Sequence, residues 1–188
     1  MTKKKKVLII VDMQNDFISG SLANPDAEAI VEPICTYVKD FKGSIICTRD
    51  THDMNYLNTP EGKKLPVEHC IKDTAGWCVD DRIQKALRDR DVMYVNKPTF
   101  GSLEWLNGYN SYLNNCDIYL CGTCTDICVV SNALILKAAY PKANIYVLPD
   151  LCAGLTKEKH LAAINVMNSC QIESVFTSSL PEPLDIIE

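Results

Sequence analysis

Residues 117–139, "DIYLCGTCTDICVVSNALILKAA", decide how the rest of the chain is read. The opening 117–122 is a short apolar run of the kind a buried strand carries, and 126–140 has the apolar density of a helix. Only a few residues separate the two. A strand running directly into a helix is one half of a βαβ unit, and it places the turn at the strand's carboxyl end.

The same alternation extends in both directions. Strands are expected at 6–12, 44–50, 92–97, 117–122, 143–150 and 172–177. Helices are expected at 26–42, 79–89, 126–140 and 156–170, with a short broken helix within 102–115. Pro25 suits a first helical turn, and Thr156 suits an N-cap. Several strands are unbroken apolar runs, as parallel strands covered on both faces should be. The expected fold is α/β: a three-layer α/β/α Rossmann-like arrangement with a central, mostly parallel six-stranded sheet, in one domain spanning 1–188. The one long irregular stretch is 51–78, long enough to be a functional loop.

Charge narrows the partners. Lys and Arg total 19 against 24 Asp and Glu, a formal net charge of −5, so no broad basic surface is available for nucleic acid. The lysines at 3–6 followed by an apolar run imitate a leader. That run, 7–11, is too short for one, and Asp12 and Asp16 place charge directly after it. No apolar stretch approaches the ~18 residues needed to span a bilayer. The expectation is a cytoplasmic protein without membrane or nucleic-acid partners. Ten cysteines in a chain of this kind are free thiols, and Cys35, Cys47 and Cys170 sit in apolar runs as core filler.

Sites in open α/β sheets form at the carboxyl ends of the strands. Here the first three strands end on Asp12, Asp50 and Lys97, where a turn residue would fold more easily. After the fourth, Thr125 reads as an N-cap and Cys128 as the third residue of the helix. A thiol there feels the positive end of the helix dipole. Together with a nearby lysine, this should lower its pKa from the usual value of about 8.5 and make it a nucleophile. Two other readings stay open at this point. Cys128 also fits the buried face of the helix, and Cys121 with Cys124 forms a C-x-x-C that fits a thiol-redox pair. A zinc site made from all three cysteines lacks a second pair of ligands at matching spacing.

Three segments, "VLIIVDMQNDF", "VNKPTFGSLEW" and "CGTCTDICVVSNAL", resemble the isochorismatase-like cysteine hydrolases, and the loop resembles their nicotinamidase branch. The likeness runs in the family's order from Val7 to about Thr177. It implies a catalytic set of Asp12, Lys97 and Cys128, with Cys128 as nucleophile, Asp12 as proton carrier and Lys97 as the stabilising cation. It also implies a cis peptide bond between Thr123 and Cys124, and an oxyanion hole made by the N–H groups of Cys124 and Cys128.

The loop "TRDTHDMNYLNTPEGKKLPVEHC" carries two of the chain's three histidines. The resemblance implies that Asp50, His52 and His69 are metal ligands, with Glu61 where some members use a carboxylate. Such donors suit a divalent ion, zinc first, with manganese or iron as alternatives. Phe17, Trp77 and Trp105 are the candidate pocket aromatics, and His160 reads as an exposed helix residue. The implied reaction converts nicotinamide or a similar small amide to the acid and ammonia through a thioester on Cys128. The alternatives are another hydrolase of the family, acting on a small amide, a ureido compound or isochorismate, or the redox module. A homo-oligomer is expected.

Overall fold

The computed structural model describes residues 4–107 and 110–179. Its centre is a six-stranded sheet in the order β3-β2-β1-β4-β5-β6, with every pairing parallel. The strands are β1 Lys5–Val11, β2 Ser44–Asp50, β3 Val92–Lys97, β4 Cys116–Thr123, β5 Asn144–Ala153 and β6 Glu173–Ser174. Val7 to Val11 are wholly enclosed, as the middle strand of a covered parallel sheet must be. The longer helices described are α1 Val31–Asp40, α2 Asp81–Ala86, α3 Val130–Ala139 and α4 Lys157–Ser169. α1 packs on α2, and α3 packs on α4, giving the three-layer arrangement.

The strand order reverses between β1 and β4, so a crevice opens at their carboxyl ends. There the two strands approach unusually closely. Gly122 lies beside Val11 with φ +113°, and a Cβ at this position would fall 2.1 Å from the Val11 carbonyl oxygen. Only glycine allows both the backbone angle and the contact.

Several elements differ from expectation. The helix expected at 26–42 is two pieces, Pro25–Ala29 and α1, joined at Ile30. Pro33 is the cause: it has no N–H to donate, and its ring excludes the carbonyl four residues back, so it is accommodated only in a first turn. α2 is shorter than 79–89 and begins after Asp80, whose carboxylate accepts the Arg82 N–H. β5 runs past Asp150 to Ala153 through an irregularity, with Leu120 opposite Val147 but Gly122 opposite Cys152. Pro149, which cannot join a ladder, falls inside that irregularity. β6 keeps only two residues of the expected 172–177. The broken helix of 102–115 is seen as Glu104–Asn107 and Asn110–Leu113, while Gly108 and Tyr109 lie outside the described residues. Among the described residues no helix is long and apolar enough to cross a membrane.

Candidate active site at the strand ends

Asp12 leaves β1 with φ +50° and is 0% exposed. Lys97 closes β3 and is also 0% exposed, while Cys128 is 6% exposed. The sheet brings the three together. Lys97 Nζ lies 2.6 Å from Asp12 Oδ2 and 3.5 Å from Cys128 Sγ. Its remaining contacts are the Thr99 carbonyl oxygen at 3.2 Å and Asp50 Oδ1 at 3.4 Å. Burial alone would push this ammonium toward neutrality, but Asp12, Cys128 and Asp50 outweigh it and raise its pKa, so Lys97 stays charged.

The thiol pKa is not lowered, contrary to the expectation from a helix start and a nearby lysine. Burial, then the Asp12 carboxylate, push the Cys128 pKa well above the ordinary thiol value, and the opposing pull of Lys97 is smaller. Burial also raises the Asp12 pKa, against Lys97. The helix start is also irregular. Thr125–Val129 is a π-helical turn in which the Val129 N–H donates to the Cys124 carbonyl. Cys124, not Thr125, holds the N-cap position, and no side chain caps the turn. The Thr125 hydroxyl instead pairs with His160 Nδ1 at 2.9 Å, so His160 is half-buried rather than exposed. The Thr123–Cys124 peptide bond is cis.

A second group adjoins the first. Asp50 ends β2, in register with Lys97, and is buried with His52 and His69. His52 Nε2 is 3.1 Å and His69 Nε2 3.5 Å from Asp50 Oδ2. One ligand atom from each of the three lies within 4.8 Å of the others. The loop is folded to this end. The His52 N–H donates to the Cys70 carbonyl and the Lys72 N–H to the His52 carbonyl, which draws residue 69 alongside residue 52. His69 Nδ1 donates to the Val67 carbonyl at 2.8 Å when it carries the ring proton, which frees Nε2 to face the group as an acceptor. The buried Tyr56 ring packs on both imidazoles, 4.6 Å from His52 and 4.9 Å from His69 between centroids. Two imidazole nitrogens and a carboxylate, converging and buried, fit a divalent metal ion. Glu61 stands outside this group of three, half-buried, with Oε1 3.9 Å from His52 Nε2.

The family model for the isochorismatase domain matches residues 6–178. The chain belongs to the isochorismatase family. Among curated relatives it is 28% identical to the nicotinamidase of Saccharomyces cerevisiae over 173 residues, covering 69% of this chain and 80% of that protein. It is 27% identical to the nicotinamidase/pyrazinamidase of Mycobacterium tuberculosis over 188 residues, covering 92% and 100%. Among solved structures it resembles the pyrazinamidase of Pyrococcus horikoshii in complex with zinc. That match has a TM-score of 0.72 and 26% identity, and covers 92% of this chain and 99% of that one.

Within this isochorismatase-family chain the three candidate aromatics have different surroundings. Phe17 is half-buried, with its ring centroid 5.7 Å from that of His69. Trp77 donates its indole N–H to Thr51 Oγ1, and the Arg49 guanidinium lies over its ring at 3.9 Å. Trp105 is enclosed in the core, where its indole N–H donates to Asn132 Oδ1 beneath the Cys128 turn, so it supports that turn from behind. Cys121 is buried in β4 opposite Ile10, and all ten cysteines are free.

For two site residues the sequence assigns no role: Thr48, and Gln14 within the "VLIIVDMQNDF" segment. Gln14 donates its amide to the Asp50 and Trp77 carbonyls and accepts the Asp50 N–H, tying the β1 exit to the loop. Thr48, inside an apolar strand, touches Asp12. A polar side chain within an apolar strand is the sequence cue that Thr48 offers.

Proposed function

We propose that this chain is an amidohydrolase of the nicotinamidase type, converting nicotinamide or a close relative to the acid and ammonia. The observation that carries the reading is the convergence of two groups on one crevice. Asp12, Lys97 and Cys128 form a buried nucleophile set, and Asp50, His52 and His69 form a metal-binding set joined to it through the Lys97–Asp50 contact.

A thiol kept protonated by burial and by the neighbouring Asp12 carboxylate is consistent with attack as its proton leaves. Attack by Sγ on the amide carbon is coupled to loss of the thiol proton to Asp12. The backbone N–H groups of Cys124 and Cys128 receive the oxyanion. Asp12 returns the proton to the amide nitrogen as the C–N bond breaks, and ammonia leaves a thioester on Cys128. Asp12 then takes a proton from water as it adds to the thioester. Collapse releases the acid and returns the proton to sulfur. Lys97 holds negative charge on Asp12 and the departing thiolate throughout. Asp50, His52 and His69, with Glu61 beside them, would hold a divalent metal, zinc in our assignment, which would supply a Lewis acid to the substrate ring. Phe17 borders the ring beside His69.

Ten free cysteines support a reducing compartment, the cytoplasm. The exposed apolar side chains of Met93, Phe100, Leu103 and Leu106 on and after edge strand β3 support a homo-oligomer. The family match across 6–178 supports a single hydrolase domain over 1–188. The test is ammonia release from nicotinamide by metal-replete protein. Steady turnover is expected, and a protein inert to nicotinamide and to a panel of small amides would overturn the reading.

A further inference from the structure

Thr48 lies in the interior of β2, among Ile45, Ile46 and Cys47, and is itself fully enclosed. A hydroxyl buried in such a strand must find partners. Both of its partners belong to one residue. Oγ1 donates to Asp12 Oδ1 at 2.6 Å and accepts the Asp12 backbone N–H at 3.2 Å. Asp12 sits at φ +50°, a left-handed conformation that residues with a side chain seldom adopt. The hydroxyl therefore closes a clasp on the backbone and the carboxylate together, and it does so on one oxygen only. The other oxygen, Oδ2, makes an ion contact with Lys97 at 2.6 Å but accepts no aligned hydrogen bond.

We propose that Thr48 is a positioning residue for the hydrolysis: its hydroxyl holds Oδ1 so that Oδ2 faces the Cys128 thiol and is the oxygen that carries the proton. The inference rests on the amide-hydrolase reading above. As the S–H bond breaks and the S–C bond forms, the proton moves from Sγ to Oδ2. It leaves Oδ2 for the amide nitrogen when ammonia departs. A carboxylate free to rotate would present either oxygen, with its proton misdirected in part of the encounters.

The test compares Thr48→Val, which keeps the shape and deletes the hydroxyl, with Thr48→Ser, which keeps the hydroxyl and deletes the methyl. Thr48→Ala is carried in parallel, so that Ser against Ala still isolates the hydroxyl if the valine variant does not fold. For Thr48→Val we expect kcat to fall on the order of 100-fold with KM within about twofold. Thr48→Ser should stay within about fivefold of wild type. The charged and titratable groups facing Asp12 are Lys97, Asp50, Cys128, Cys124 and Cys70, and all five remain in every variant. Loss of a hydrogen bond to the ionised carboxyl should therefore move the acid limb of the kcat/KM profile to higher pH in Thr48→Val but not in Thr48→Ser. The pH profile of Cys128 alkylation by iodoacetamide needs no substrate and should shift in the valine and alanine variants but not in the serine variant. A valine variant as fast as wild type would overturn the proposal. So would serine and alanine variants that are equally slow, which would make packing the cause. Wild type that does not turn over small amides, with the alkylation profile still shifted in Thr48→Val, would instead overturn the amidase reading and leave the clasp standing.

Discussion

The two halves of the site are built by different means. Asp12 and Cys128 follow β1 and β4, Lys97 ends β3, and all three are anchored by paired strands of the sheet. His52 and His69 come from the loop 51–78, held by a few backbone bonds, the Tyr56 ring and the anchor at Gln14. Bond making requires sub-ångström placement, which a packed sheet supplies. Orienting a ring requires the right donors in the right order, which a loop supplies and can vary. Asp50 belongs to both halves: it ends β2, faces both histidines through Oδ2, and meets Lys97 through Oδ1.

If that division holds, substitutions on the two sides should fail differently. Cys128→Ala should lower turnover by about 10⁴-fold or more while binding one equivalent of metal as wild type does. His52→Ala should lose metal affinity by about 100-fold or more, with its largest kinetic effect on KM. Metal analysis beside steady-state kinetics decides, and equal metal loss in both variants would erase the distinction.

A smaller effect sharpens the strand-end half. Burial and the Asp12 carboxylate hold the Cys128 thiol protonated at rest. Alkylation of Cys128, tracked by mass spectrometry of its peptide, should therefore keep accelerating above about pH 9. A plateau below about pH 8 would mean a pre-formed thiolate and contradict the coupled attack described above.

The smallest effect concerns how the loop returns to the fold. Asp80 donates its N–H to the Met13 carbonyl and caps α2 through its carboxylate, with Arg82 alongside. Burial raises the Asp80 pKa, but the Arg82 hydrogen bonds outweigh it and leave the folded value below the ordinary 3.8. A depressed folded pKa contributes stability above the unfolded value, and that contribution is lost as pH falls through the folded one. Asp80→Asn should cost about 1 kcal/mol at pH 7, limited because Arg82 is well exposed to solvent. The gap to wild type in urea unfolding should close below about pH 4. A gap that is independent of pH would assign the cost to the cap's shape rather than its charge.

The sequence is most legible where one rule acts alone. The six strands stand out because apolar runs alternate with helices, and the strand ends stand out because Asp12, Asp50 and Lys97 occupy positions that favour turn residues. Legibility fails where two rules compete. Thr125 is a good N-cap type, but β4 overruns the expected end by one residue and the next turn is π-helical, so the cap position passes to Cys124. The nearby lysine suggests a low thiol pKa, yet burial, which spacing cannot reveal, dominates. The roles of Thr48 and Gln14 are hidden because they depend on neighbours 36 residues away in the chain.

The measurement closest to the central claim is a rapid-quench trap of the reaction with nicotinamide, with mass spectrometry of the peptide that carries Cys128. We expect a nicotinoyl thioester on Cys128 during turnover, absent in Cys128→Ala. Turnover with no adduct, or with the adduct on Cys124 instead, would contradict the assignment of Cys128 as the nucleophile.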